Sequence, residues 1–313
     1  MTKVVLLKSW WLNVGDGFVK MGAEHILNNV FGHENVQTCS AVGANKFDMI
    51  GDGAADHNFP SLMDVIQNEI EVVALAGCVL NEKLIRLVEK IESLPKRPKV
   101  LLLGAGGYRY EKREVASVRN ILERLRPFAL IARDSESLEH YGDLFDYAER
   151  GLDCAYWVAD AVAAVQSERS FTVRTFNRMV DPGRSGGVVM RCEHLPLRLS
   201  IEPRSRSIIR NLYRVLRPGV RRQDIEAFYS DNVAEYLALY SAANEVHTDM
   251  VHATVASLSY GTPVQMYYRS GRQGVLTSVV GEEVFNRPFV CDPQYLSKLK
   301  GGEISTLKAM FRK

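Results

Sequence analysis

Two stretches of this chain carry residue types that could do chemistry. The first runs Asn244-Glu-Val-His247-Thr-Asp249-Met250-Val-His252-Ala-Thr-Val-Ala-Ser-Leu-Ser-Tyr-Gly261-Thr-Pro263-Val264. It reads as a polar turn with two histidines and an aspartate, followed by a helix of small residues that ends at Gly-Thr-Pro. A helix start presents unpaired backbone N–H groups and partial positive charge, so it suits an anionic substrate. An imidazole titrates near neutrality, so His252 at that start can donate a proton, accept one, or bind an anion when charged. It serves equally as a structural residue, and His247 equally as a surface residue. The second stretch is Trp10-Trp11-Leu-Asn13-Val-Gly15-Asp16-Gly17. Gly15 and Gly17 allow a sharp turn and close approach of a ligand, and Asp16 can cap the following helix or draw a proton from a hydroxyl. An aspartate there disfavours phosphate, and the glycine spacing fails the dinucleotide fingerprint.

The elements that must position these residues alternate in type. Apolar runs predict strands at Val4 to Leu7, Val72 to Ala76, Val100 to Leu103 and Ala129 to Ala132, with helices at Gly17 to Val30, at Glu82 to Ser93, and through Val115 to Leu125. Repeated strand and helix units of this length imply a parallel sheet covered on both faces, with ligands beyond the carboxyl ends of its strands. Composition shifts after Val165. The polar segment 166–187, with Asp181-Pro-Gly183 and Gly186-Gly187, reads as a linker. It would separate an N-terminal α/β domain, 1–165, from a C-terminal one, 188–313. The second begins with the strand Val188 to Met190 and includes a helix over Val233 to Ala243. At 313 residues the chain exceeds what one core usually holds, which agrees with two domains. A last helix, Gln294 to Lys313, is expected to cross back to the first domain.

Hydrophobic residues make up 46% and charged residues 24%, as in a soluble globular protein. No apolar run approaches the ~20 residues of a membrane span, and the N-terminus reads as a strand rather than a signal peptide, so a cytoplasmic location is expected. The five cysteines are scattered without a Cys-x-x-Cys pair, and the seven histidines lack paired spacing, which argues against a zinc site or a disulfide framework. The net charge of +2 hides an arginine-rich stretch. Arg206, Arg210, Arg214 and Arg217 recur at helical spacing opposite Ile208, Leu212 and Val215. This reads as a solvated face, or as a contact with anionic lipid headgroups that would hold the protein peripherally at the inner membrane face. No nucleic-acid motif accompanies it.

Four short stretches, in order, resemble the polysaccharide pyruvyl transferase family: Asn13-Val-Gly15-Asp16, Ile131-Ala-Arg133-Asp134-Ser-Glu-Ser137, Gly151-Leu-Asp153-Cys-Ala155, and Met250-Val-His252-Ala253 with the following Gly-x-Pro. The resemblance implies two Rossmann-like domains with a cleft between them, a glycosyltransferase-B-like architecture. It also implies transfer of a pyruvyl group from phosphoenolpyruvate to a sugar of a cell-surface or exopolysaccharide precursor, forming a ketal without a cofactor or metal. The acceptor would be a sugar or a lipid-linked glycan. His252 is then the leading catalytic candidate, with Asp16 as base, Asn13 on sugar hydroxyls, Gly15 and Gly17 lining the site, and Trp10 or Trp11 against a sugar ring. Asp134 or Ser135 can cap the following helix and Arg133 orient loops at the strand ends, a triplet that is structural first and site-lining second. The chain departs from the family at Met250, where an arginine is usual, and at Cys78, where a glycine is usual. Arg191, Arg269 and Arg272, at or after strand ends, are candidate replacements for the missing charge. A nucleotide-sugar glycosyltransferase of similar fold, or a catalytically silent glycan binder, are the other readings.

Overall fold

The computed structural model describes residues 2–8, 14–40, 69–183, 187–192, 194, 228, 230, 232–269 and 272–312. Trp10, Trp11, Asn13 and the arginine-rich stretch lie outside them. The chain forms two compact units. Unit 1 comprises Met1–Trp10, Ala23–Cys154 and Leu299–Lys313; unit 2 comprises Trp11–Gly22 and Ala155–Lys298.

Unit 1 is a parallel sheet of β1 (Val4–Lys8), β2 (Val36–Ser40), β3 (Val72–Ala76), β4 (Lys99–Ala105), β5 (Ala129–Ala132) and β6 (Tyr147–Arg150), in the order β2-β1-β3-β4-β5-β6. The order reverses between β1 and β3, which is the switch point of a doubly wound sheet. β4 and β5 are apolar on both faces because helices cover both; all four residues of β5 are buried. Helix α1 (Val14–Phe31) divides between the units after Gly22. Helix α2 (Ile85–Glu92) packs Leu87, Val88 and Ile91 into the core, at roughly 1.5–3 kcal/mol per side chain. Helix α3 (Lys112–Leu125) adds Val118, Ile121, Leu122 and Leu125 and closes with Arg126 in the left-handed region at φ 44°. Helix α4 (Ser135–Tyr141) starts at Asp134, whose carboxylate accepts the Ser137 N–H at 2.7 Å, as the Arg-Asp-Ser triplet predicts.

Unit 2 holds a second parallel sheet, of β7 (Thr172–Thr175), β8 (Val189–Arg191), β9 (Glu245–Thr248) and β10 (Val264–Met266), in the order β10-β9-β7-β8. Helices α5 (Val158–Ala161), α6 (Val233–Ala242), α7 (Val251–Tyr260) and α8 (Gly274–Val280) belong to it. Helix α9 (Pro293–Phe311) ends the described chain, and from Leu299 onward it belongs to unit 1, as the return to the first domain predicts.

Two expectations need correction. The segment 166–187 is not simply a linker, because β7 lies within it and pairs with both β8 and β9; unit 2 begins at Ala155 rather than at 188 and also takes Trp11–Gly22. The polar turn expected ahead of His252 contains β9, with His247 buried on it. Both strands were obscured for one reason. Only one face of this sheet is apolar: Val173, Val246 and Val264 are buried there, while register places Arg191, Arg174, His247 and Gln265 in a row on the other. That row is stabilised locally. Arg174 pairs with Asp181, and His247 is held by Glu245 at 2.5 Å and by the Tyr267 hydroxyl at 2.9 Å.

Candidate functional site

In unit 2 the candidates gather where the second sheet reverses, between β7 and β9. Helix α7 begins immediately after β9, with Met250 as its extended N-cap (φ −110°, ψ 118°) and His252 in its first turn. Its interior is built from small residues: Ala253, Ala256 and Ser257 are fully buried, and Gly261 closes the helix at φ 73° in the left-handed region that glycine favours. The Met250 N–H is taken by the Thr248 hydroxyl at 2.9 Å and its carbonyl by the Thr254 N–H at 3.1 Å.

The N-terminal turn reaches the same place. A Cβ on Gly15 would stand 2.5 Å from Cδ2 of His252, and a Cβ on Gly17 2.6 Å from a methyl of Val233. Glycine is needed at both positions because another element occupies the space a side chain would take. Helix α1 starts at Val14, so Asp16 lies inside its first turn and is not the residue that caps it; a carboxylate there complements the helix dipole. Phe18, fully buried, meets the rings of His194 and Tyr240 edge-on at 6.1 and 6.2 Å. His194 makes a short hydrogen bond to the Tyr240 hydroxyl. Burial, and then the charge of nearby His252, push its pKa down to about 3, so it stays neutral at physiological pH.

Asp249, missed as a functional residue in the sequence, organises this edge. Its buried carboxylate accepts the N–H groups of Asn177 at 2.9 Å, Arg178 at 2.5 Å and Met179 at 2.8 Å, and so ties the loop after β7 to the start of α7. Burial raises its pKa above the usual aspartate value, while the three amides pull the other way. The only sequence signal was an aspartate directly after a polar-alternating strand.

The remaining arginines fall apart in position. Arg191 ends β8. Arg269 is exposed, ion-paired with Glu282 and stacked on Phe285 at 4.3 Å, and Arg272 sits in the turn ahead of α8, its carbonyl accepting the Val275 N–H.

Arg133 belongs to unit 1, at the carboxyl end of β5. It is 2% exposed, with Nη1 bonded to Asp153 at 3.0 Å. Its Nε and Nη2 have no hydrogen-bond partner among the described residues, which leaves two donors of a planar fork suited to a carboxylate or phosphate. Gly106 makes room for it: a Cβ there would lie 2.7 Å from Arg133 Nε and 2.4 Å from Asp134 Oδ2. The turn Gly104-Ala-Gly-Gly107 at the end of β4 is packing rather than a phosphate cradle. The Gly106 N–H goes to the Cys78 carbonyl, and the Gly107 N–H to Tyr110 and Ser137. Glu303, on α9, accepts the Leu152 N–H at 2.8 Å; burial, with Asp153 adding to it, pushes its carboxyl up to about 7. Nothing in the sequence marked Glu303, which lies far from every motif. Burial also pushes the Cys78 thiol up to about 12, which disfavours its thiolate form.

Among the described residues no group of three or more His, Cys, Asp or Glu could hold a metal ion, and no helix is long and apolar enough to cross a membrane.

Solved structures share the fold. S. aureus MnaA, in its structure with UDP, matches at 11% identity with a TM-score of 0.51, over 99% of this chain and 90% of that one. UDP-N-acetylglucosamine 2-epimerase from Rickettsia bellii matches at 11% identity and a TM-score of 0.48, over 99% and 97%. UDP-GlcNAc 2-epimerase from Neisseria meningitidis, bound to UDP-GlcNAc, matches at 11% and 0.47, over 99% and 94%. The likeness to MnaA shows two Rossmann-like α/β units of the glycosyltransferase-B-like kind. No curated protein matches the sequence. The profile described as polysaccharide pyruvyl transferase covers residues 13–270, from the turn that seats His252 to the end of the second sheet, and with most of its length inside that span the chain belongs to the polysaccharide pyruvyl transferase family.

Proposed function

We propose that the protein transfers the pyruvyl group of phosphoenolpyruvate to two hydroxyls of a sugar in a cell-surface or exopolysaccharide precursor. The observation that carries this reading is the seating of His252 against Gly15, which joins the two chemical stretches of the sequence in one unit, at the carboxyl edge of its sheet. The reaction makes three demands. The methylene carbon of the enol must gain a proton, giving an oxocarbenium-like centre at the adjacent carbon. Two sugar oxygens must then bond to that carbon while its bond to the phosphate oxygen breaks. Phosphate leaves, and of the two hydroxyl protons one balances the proton spent on the methylene and the other leaves with phosphate or solvent.

His252 supplies the proton in this scheme, and Asp16, one residue from the glycine that seats the imidazole, draws a proton from the attacking hydroxyl. No cofactor or metal enters the scheme. A lipid-linked acceptor would place the enzyme at the inner face of the membrane, where the sequence of the arginine-rich stretch 206–217 would favour anionic headgroups.

The test is acceptor-dependent phosphate release from phosphoenolpyruvate. The wild-type protein should release phosphate only with acceptor present, and His252→Ala should lose at least about a hundredfold in turnover. Unchanged turnover in the variant would remove His252 from the chemistry. A wild-type protein that turns over a nucleotide sugar but not phosphoenolpyruvate would replace this reading with a glycosyltransferase.

A further inference from the structure

A donor with a carboxylate and a phosphate needs a permanent cation where His252 acts, and the helix start itself offers none: Asp249, Met250 and Val251 surround the imidazole in sequence. The strand order shows where one comes from. Arg178 follows β7 and Tyr268 follows β10, and β9 lies between those two strands. Strands are about 4.8 Å apart, so β7 and β10 are separated by roughly 10 Å. The Arg178 guanidinium nevertheless sits 5.3 Å from the centre of the Tyr268 ring. Arg178 thus meets Tyr268 from the opposite side of β9, whose end leads through Asp249 and Met250 into α7. Its backbone is fixed at that point as well, since the Arg178 N–H is one of the three held by Asp249.

We propose that Arg178 is the donor-binding residue of this edge, its guanidinium gripping the carboxylate or phosphate of phosphoenolpyruvate where Met250 supplies no charge. This rests on the pyruvyl-transfer reading above and deepens it by naming the residue that holds the donor. The side chain is exposed, and its contact with Tyr268 is a cation–π contact at the surface. Such a contact is weaker than a charge-assisted hydrogen bond to an anion, so the guanidinium can leave the ring for the donor. Asp249 acts here as a positioning residue: it holds the loop through three backbone N–H groups, that of Arg178 among them, and its carboxylate also feels the Arg178 charge.

The experiment is calorimetric titration of the full chain with phosphoenolpyruvate at constant ionic strength, for wild type, Arg178→Ala, Arg178→Lys, and Arg178→Ala combined with Met250→Arg. Thermal unfolding of each variant accompanies it; substitution of an exposed side chain whose backbone contacts persist should leave the melting temperature unchanged. Arg178→Ala should weaken binding at least about tenfold, the loss of one charge-assisted contact. Lysine should recover part of the loss, because it keeps the charge without the planar fork. Arginine at position 250 should restore binding in the alanine background, which a merely structural role for Arg178 would not allow. Donor binding within twofold of wild type in Arg178→Ala would overturn the proposal while leaving the pyruvyl-transfer reading intact. Failure of the wild-type protein to bind phosphoenolpyruvate would overturn that reading, and this proposal with it.

Discussion

At the scale of single residues, the missing Cβ of Gly15 and the ring of His252 occupy the same space. Alanine at position 15 would put a carbon 2.5 Å from the imidazole, and overpacking of this kind costs about 1–3 kcal/mol. The clash is specific to the ring, so Gly15→Ala should destabilise the wild-type chain but should do so far less in a His252→Ala background. A double-mutant cycle by urea unfolding measures that coupling; additive effects would mean that the ring moves aside freely. Glu303 gives a second residue-scale prediction, in pH. Its pKa rises from 4.5 to about 7 on folding, so the folded state keeps a proton that the unfolded chain has already released. Its stabilising contribution is fully present below pH 4.5 and is lost as pH rises through 7, a change of about 3 kcal/mol. Glu303→Gln, which stays neutral and can still accept the Leu152 N–H, should escape that loss. Melting curves at pH 5 and pH 8 should therefore diverge between variant and wild type; parallel curves would contradict the assigned burial effect. Neither contact could be read from sequence, because each joins positions far apart in the chain. What could be read was residue chemistry at short range: His252 at a helix start, the Asp134 cap, and Gly261 at the helix end.

At the scale of elements, legibility followed burial. The strands Val72–Ala76 and Ala129–Ala132 match their expected bounds because both faces are covered and the sequence is continuously apolar. β7 and β9 have one polar face each, so Thr-Val-Arg-Thr and Glu-Val-His-Thr carry a single valine apiece and pass for linker and turn. Short polar strands also hid β2 and β6. The polar face leaves the ends of these strands free for ligand-directed residues, and Asp249 fixes one of them. Asp249→Ala would strip three N–H groups of their acceptor and should cost about 3 kcal/mol or more, whereas Asp249→Asn keeps one accepting oxygen and should cost less. Chemical denaturation ranks the three proteins. Equal stability of alanine and asparagine variants would mean that solvent replaces the carboxylate and that the loop after β7 is held by other contacts.

At the scale of the molecule, the two-unit organisation was legible from length and composition, but the membership of each unit was not. Composition marks a boundary where polarity changes, and here polarity changes inside a sheet rather than between domains. Packing instead assigns Trp11–Gly22 to unit 2 and Leu299–Lys313 to unit 1. The last assignment rests on real burial: Leu307 and Met310 are buried, and Phe311 meets Phe31 at 5.0 Å and Phe128 at 5.1 Å. Followed in the direction of protein synthesis, this membership sets an order of completion. The early strands of unit 1 emerge from the ribosome before unit 2, yet the helix that carries Glu303 and Phe311 emerges after it. Unit 2 has all of its residues by Lys298, so the unit whose strands are translated earlier is the second to acquire its full complement, and until the helix with Phe311 has emerged the aromatic side chains awaiting it are clients for a chaperone.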